Sequence, residues 1–292
     1  MELTGKVFVV TGGGNGIGRE VVLGLLTRGA RVAAVDLSEQ GLAETAALVG
    51  AGERLRTHTV DITDRAAVEA LPDAVIAAHG RVDGLLNVAG IIQPFVRFAD
   101  LEYGQIEKVM AVNFWGVVHT TKAFLPHLRS RPQAAVVNVS SMGALAPVPG
   151  QAVYGASKAA VMLLTEALYA ELKGTPVTVS VVFPGGVSTH IAENSGAAIP
   201  GRSTDAAASA GSLTTAPDTA RQIIDKAVVA GSFRVVIGKD ARMLDSMSRL
   251  SPRRATDFIA KKMAGLPRSS PSPLHAGRAS GAGRRRHPSR SP

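Results

Sequence analysis

From its start to about residue 240 the chain alternates between two kinds of segment, and this alternation limits its possible folds more than any other feature. Short runs rich in Val, Leu and Ala at 7–11, 31–35, 82–88, 134–139, 177–183 and 234–237, and the threonine-bearing run 56–60, have the length and composition of strands. Between them, 17–28, 42–49, 65–78, 106–128, 152–172 and 218–230 space their apolar residues as helices do. Strands apolar on both faces, each followed by a helix, imply a parallel sheet covered on both sides. Residues 1–240 therefore read as one α/β domain. A stretch rich in Ala, Gly and Ser breaks the rhythm, so 190–213 reads as a lid. Residues 241–266 read as an amphipathic helix pair broken at Pro252, and 267–292 as a disordered basic tail.

The net charge of +9 invites a nucleic-acid reading, which its distribution removes. Six of the 32 basic residues (Arg268, Arg278, Arg284, Arg285, Arg286 and Arg290) lie beyond Pro267 with no acid among them, leaving 26 basic against 23 acidic side chains elsewhere. No aromatic residue follows Phe258 to stack a base, so nucleic acid is not an expected partner. With no cysteine, disulfides and thiolate chemistry are out. His79, His119, His127 and His190 form no ligand pair at i, i+4 on a helix, Asp83 lying past the expected helix end at 78, so no metal is expected. No window of ~18 apolar residues could span a bilayer, and a strand-like run begins at once, so a cytoplasmic address is expected. The basic amphipathic stretch 241–266 could rest on its own domain, a second subunit or an anionic membrane surface.

The turn after the first strand reads Thr11-Gly12-Gly13-Gly14-Asn15-Gly16-Ile17-Gly18. Glycine there permits tight turning and close backbone approach, and the following helix offers free N–H groups to a pyrophosphate. Asp36 closes the second strand about twenty residues on. There a carboxylate can bind adenosine ribose hydroxyls and repel a 2′-phosphate; neighbouring Leu37 adds no cation. NAD is the expected cofactor. Asp61 could meet the adenine amine with Ile62 on the ring, although a turn-capping Asp fits as well. Asn87, Ala89 and Gly90 follow the fourth strand, where small residues let a cofactor lie close.

Tyr154 and Lys158 share one helix face. A free phenol, of pKa ~10, is a poor base at neutral pH; a nearby ammonium should lower that value and yield a general acid/base. Ser141 follows the fifth strand, and Gln151 is a polar side chain near the reacting oxygen. The flanking Met142, Leu145, Ala146, Pro147, Val148 and Pro149 suit a neutral or lipophilic substrate.

Together, Thr-Gly-x-x-x-Gly-x-Gly at 11–18, Asn-Val-Ala-Gly at 87–90, Asn113, Ser141, Tyr154-x-x-x-Lys158 and Pro184-Gly185 resemble the single-domain short-chain dehydrogenases/reductases over about residues 4–240. The resemblance implies a Rossmann-type doubly wound sheet of about seven strands and alcohol–ketone chemistry on a small molecule. It gives Tyr154 the acid/base role, Lys158 the nicotinamide ribose and the tyrosine pKa, Ser141 the substrate oxygen, and Asn113 a water leading from Lys158 to solvent. Pro184, Gly185, Val187 and Thr189 would clasp the nicotinamide amide. Val88 departs from the second Asn that many members carry. Spacing to Tyr154 selects Ser141 over Ser140, and Tyr169 with Lys173 is a decoy for the Tyr–Lys pair. A homodimer or homotetramer is expected. Two other readings remain: a catalytically weak cofactor-sensing or membrane-surface protein, and a 3-oxoacyl-type reductase using NADP.

Overall fold

The computed structural model describes residues 1–188, 191, 195 and 213–263. Seven strands form one sheet: β1 (Val7–Thr11), β2 (Arg31–Asp36), β3 (Leu55–Thr59), β4 (Gly84–Asn87), β5 (Ala134–Val139), β6 (Val177–Pro184) and β9 (Arg234–Ile237). Their spatial order is β3-β2-β1-β4-β5-β6-β9, and every pairing is parallel. A parallel neighbour cannot be reached by a hairpin, so each connection crosses over through a helix. The order reverses between β1 and β4, which opens a crevice at the carboxyl ends of the strands. A two-stranded ribbon, β7 (Val187–Ser188) with β8 (Thr214–Thr215), lies beyond β6.

The helices are α1 (Gly16–Thr27), α2 (Glu39–Ala47), α3 (Arg65–His79), α4 (Tyr103–Met110), α5 (Gly116–Arg129), α6 (Ala152–Glu171), α7 (Ala216–Gln222), α8 (Lys239–Leu250) and α9 (Pro252–Lys262). Strand alternation sends Phe8 and Val10 of β1 to one face, against Val21 and Leu25 of α1 and Ile224 beyond α7. Val7 and Val9 go to the other, against Val75 of α3 and Phe124 of α5. Each such side chain contributes about 1.5–3 kcal/mol by leaving water, so both helical layers are held to the sheet.

Several boundaries differ from the sequence expectation. The fourth strand ends one residue early, since Val88 N turns to the Thr11 hydroxyl. The second helix starts at Glu39 because Ser38 Oγ accepts Gly41 N. The expected helix 106–128 begins at Tyr103 and carries a π-helical stretch, Ala111–Trp115. Another, Ile223–Val229, follows α7. The expected division at residue 240 falls inside the first turn of α8. That helix and α9 fold back on the domain, with Leu244 and Ile259 buried against Ala146 beside Met142 and Met263. Part of the apolar surface of the extension is thereby used within the chain, while Met243, Leu250 and Phe258 stay exposed. The tail 267–292, and the lid apart from Ile191, Ser195 and Leu213, lie outside the described residues. Among the described residues no helix is long and apolar enough to cross a membrane.

Candidate active site

The first wall of the crevice is made of backbone. Gly12 has φ +73°, and a Cβ there would stand 2.9 Å from Ala89 Cα. A Cβ on Gly18 would fall 2.0 Å from the Gly12 carbonyl oxygen, so α1 can begin beneath the turn only without a side chain. Asn15 caps α1, its side-chain oxygen accepting Gly16 N at 2.6 Å, and Ile17 packs partly into the core. Thr11 joins the turn to β4 by accepting Val88 N and Ala89 N at 3.1 and 3.2 Å.

Asp36 closes β2 with both oxygens anchored: Oδ2 accepts Gly14 N and Oδ1 accepts Ser38 N, each at 2.9 Å. Arg19, in the first turn of α1, is already engaged by the Gly14 carbonyl and by Glu44 at 2.7 Å. Leu37 is exposed. Asp61 caps its own turn, accepting Thr63 N at 2.8 Å and the Thr63 hydroxyl at 2.7 Å. Ile62 is buried against Gly116, where a Cβ would meet its Cδ1 at 2.5 Å.

Past β4 the wall becomes side-chain chemistry. Asn87 is turned inward: its Nδ2 donates to Asn138 Oδ1 at 2.8 Å and its Oδ1 accepts from Thr120 Oγ1 at 2.8 Å. Anything Asn87 offers a cofactor therefore comes from its backbone. A Cβ on Gly90 would lie 3.0 Å from Lys158 Nζ. Asn113, fully buried within the π-helical stretch, holds Ile91 at both ends, accepting its N–H and donating to its carbonyl at 2.9 Å, and also donates to Ser157 Oγ at 3.0 Å. The loop after β4 is thus tied to α6.

Tyr154 and Lys158 occupy the first two turns of α6, and the tyrosine ring lies beside Ser141: a Cβ on Gly143 would meet Tyr154 Cε1 at 3.4 Å and Ser141 Oγ at 3.6 Å. Ser141 Oγ accepts Gly143 N at 3.1 Å. Adjacent Ser140 points away, donating to the Lys158 carbonyl at 2.7 Å. On an extended segment neighbours face opposite sides, so only Ser141 reaches the phenol. Lys158 is buried, and its Nζ donates to the Val139 carbonyl at 3.0 Å. Burial pulls its pKa down to about 8. For Tyr154 the expected direction is corrected. Burial pushes the phenol above its ordinary value, and the opposing hydrogen bond comes from Ser141 rather than from the Lys158 charge. The decoy Tyr169 instead stacks on Phe233, ring centroids 4.2 Å apart.

Gln151 precedes α6 with its Nε2 donated to the Gln93 carbonyl at 2.7 Å, while its buried Oε1 has no hydrogen-bond partner among the described residues. At the end of β6, Pro184 leads to Gly185, whose N–H donates to Ile237 O at 2.8 Å. A Cβ on Gly185 would sit 2.1 Å from Asp240 Oδ1, and Asp240 Oδ2 accepts Gly186 N at 2.7 Å. Val187 then enters the β7–β8 ribbon. Thr189 lies outside the described residues.

Three contributors were missed in the sequence: Gln93, Asp240 and the Thr11 hydroxyl. Only Thr11 had a signal, standing first in the glycine run. Gln93 and Asp240 act on residues about sixty positions away, where no local period reaches.

The family model described as short chain dehydrogenase matches residues 6–199. A Mycobacterium tuberculosis protein named as an oxidoreductase, SadH, is 39% identical over 252 residues, covering 84% of this chain and 91% of that one. The 1-deoxy-11-beta-hydroxypentalenate dehydrogenase of Streptomyces avermitilis is 34% identical over 252 residues, 83% of this chain and 88% of the relative. Among solved structures, a short chain dehydrogenase/reductase from Burkholderia phymatum in complex with NAD aligns with TM-score 0.75 and 27% identity, covering 93% of this chain and 99% of that one. With the glycine cradle, the Ser141–Tyr154 contact and Lys158 in place, these matches show that the chain belongs to the short-chain dehydrogenase family.

Proposed function

We propose that the protein is an NAD-dependent oxidoreductase that interconverts a secondary alcohol and a ketone on a neutral or lipophilic small molecule, with Tyr154 as general acid/base. The observation that carries this reading is the Tyr154 ring set beside Ser141 Oγ, both within 3.6 Å of the point where a Cβ on Gly143 would stand, with Lys158 one turn away on the same helix. A nicotinamide dinucleotide suits the crevice, since Gly12 and Gly18 let the turn pack directly on Ala89 and on the start of α1, which brings backbone rather than side chains to the crevice wall. The first turn of α1 and the Gly14–Gly18 backbone would hold its pyrophosphate. Bound there, it would supply the hydride acceptor or donor.

The chain's own residues supply the proton chemistry. Burial keeps the phenol protonated at neutral pH, which suits Tyr154 to donating a proton to a carbonyl oxygen. Ser141 would share that oxygen and orient it. Lys158, with its pKa near 8, would stay mostly protonated at neutral pH and would hold the nicotinamide ribose. Asn113 would keep Gly90 and Ile91 against this pair.

Preference for NAD rests on Asp36. Two backbone amides fix its carboxylate, so it cannot swing aside for a 2′-phosphate, and Arg19 is already neutralised by Glu44. The half-buried apolar side chains of Met142, Leu145, Val148 and Pro149, which follow Ser141 with no charged residue among them, support a lipophilic substrate. The test is a panel of secondary alcohols, cyclic ketones and 3-oxoacyl compounds followed by NADH absorbance. Turnover should require Tyr154. Equal turnover by the Tyr154→Phe protein would refute the assignment.

A further inference from the structure

We propose that Gln93 is a positioning residue for the reacting phenol: from the loop after β4 it caps the amino end of α6 and so fixes where Tyr154 stands. The inference rests on the acid/base reading of Tyr154. The first N–H groups of a helix have no partner within it, and a side chain from the residue just before the helix usually accepts one. α6 departs from this pattern. Its N-cap residue, Gln151, makes no side-chain bond to its own helix. Gln93 does so instead. Its Oε1 accepts Val153 N at 2.8 Å and Tyr154 N at 3.0 Å, and its Nε2 donates to the Gly150 carbonyl at 3.0 Å. Its own carbonyl accepts Gln151 Nε2 at 2.7 Å. Gln93 is fully buried, so water cannot replace these bonds once they are lost.

The same loop carries Gly90, against which Lys158 Nζ packs, and Ile91, held at both ends by Asn113. Gln93 therefore transmits the position of the β4 loop to the backbone nitrogen of Tyr154 itself. Any shift of that nitrogen moves the phenol relative to Ser141, which is anchored separately after β5 through Gly143. Misplacing a catalytic group by about 1 Å can cost on the order of 10²-fold in rate. Without Gln93 the phenol loses its fixed relation to Ser141 while the glycine cradle stays whole.

Gln93→Met keeps the volume and removes all three side-chain bonds, whereas Gln93→Glu keeps the acceptor facing Val153 N and Tyr154 N. The chain has three tyrosines, so 13Cζ-tyrosine NMR resolves the Tyr154 resonance, assigned by its loss in Tyr154→Phe. In Gln93→Met that resonance and its titration midpoint should move, because the ring shifts relative to Ser141 Oγ, beside which it now stands. The Tyr103 and Tyr169 resonances should stay in place. Turnover should fall at least about tenfold with NAD affinity unchanged, and Gln93→Glu should recover it to within about threefold. The proposal is overturned if Gln93→Met leaves the Tyr154 titration and kcat as they were, or if Gln93→Glu loses as much kcat as Gln93→Met. Should the Met variant fail to fold, Gln93→Glu decides alone. An undisturbed kcat and Tyr154 resonance would support the cap, and a tenfold loss with NAD affinity intact would overturn it. The NMR arm needs no substrate, so an unaltered protein that turned over nothing would count against the reaction and leave the cap to be judged by its resonance.

Discussion

The two halves of the crevice are built on different principles. Around Gly12–Gly18 the shape is set by absence: no Cβ fits, and the cradle consists of backbone amides and one helix end. Around Ser141, Tyr154 and Lys158 it is set by buried polar side chains, each tied to a segment far away in sequence. Asn113 reaches Ile91, Ser140 reaches Lys158 and Gln93 reaches Tyr154. A backbone-made site tolerates surface change and fails abruptly when a methyl group intrudes. A side-chain-made site degrades bond by bond.

The sharpest break in this comparison is Tyr154→Phe, which should lower kcat by at least ~10²-fold while titration calorimetry finds NAD affinity unchanged. The reverse split should come from Gly18→Ala, whose methyl would collide with the Gly12 carbonyl. NAD affinity should fall by about tenfold or more through the lost fit to the pyrophosphate, and thermal stability should fall with it. Gly50→Ala, with nothing within 4 Å, is the matched control and should bind NAD normally.

Ser140 and Ser141 probe one wall at adjacent positions. Ser141→Ala should lose about tenfold or more in kcat with little change in stability. Ser140→Ala should keep kcat and lose about 1 kcal/mol of stability, by denaturant titration. Equal loss of kcat in both would erase the distinction. Asp36→Asn keeps an acceptor for Gly14 N and removes the charge. The ratio of kcat/KM for NADP to that for NAD should rise about tenfold, equivalent to ~1.4 kcal/mol; no change would remove Asp36 from cofactor choice.

The mildest effect concerns Lys158 and is a slope. In the unfolded chain this lysine holds its proton up to about its ordinary 10.5; in the fold, burial makes it release near 8. The unfolded state therefore binds more protons between these values, and this lysine's burial penalty is relieved as pH rises through the window. Lys158→Met should flatten the rise of stability with pH across that range. Identical slopes for both proteins would contradict the burial.

How much was legible in the sequence follows the same division. All seven strands of the main sheet were legible: the inner strands β2, β1, β4, β5 and β6 through the continuous apolar mark that burial on two faces leaves, and the largely exposed edge strand β3 only through its β-branched threonines. Gly12, Gly14, Gly16 and Gly18 stood out because a residue lacking a side chain advertises a steric demand. Tyr154 and Lys158 showed because both sit on one helix, and Ser141 through its spacing. Gln93 gave no sign, since a glutamine in an aperiodic loop looks solvated until the helix it caps is known. Nor could the sequence give the direction of the Tyr154 shift, which depends on how much water the fold removes.

Asp240 ties the C-terminal helical hairpin to the turn that follows β6. The helix that presses Leu244 toward Ala146 also places a carboxylate on Gly186 and leaves no room at Gly185 for any larger residue. Exchanging this C-terminal hairpin to retune which molecules the enzyme accepts would loosen the turn expected to receive the nicotinamide amide. A graft that retains an acid at position 240 escapes that penalty, so recombination of this region has one fixed point.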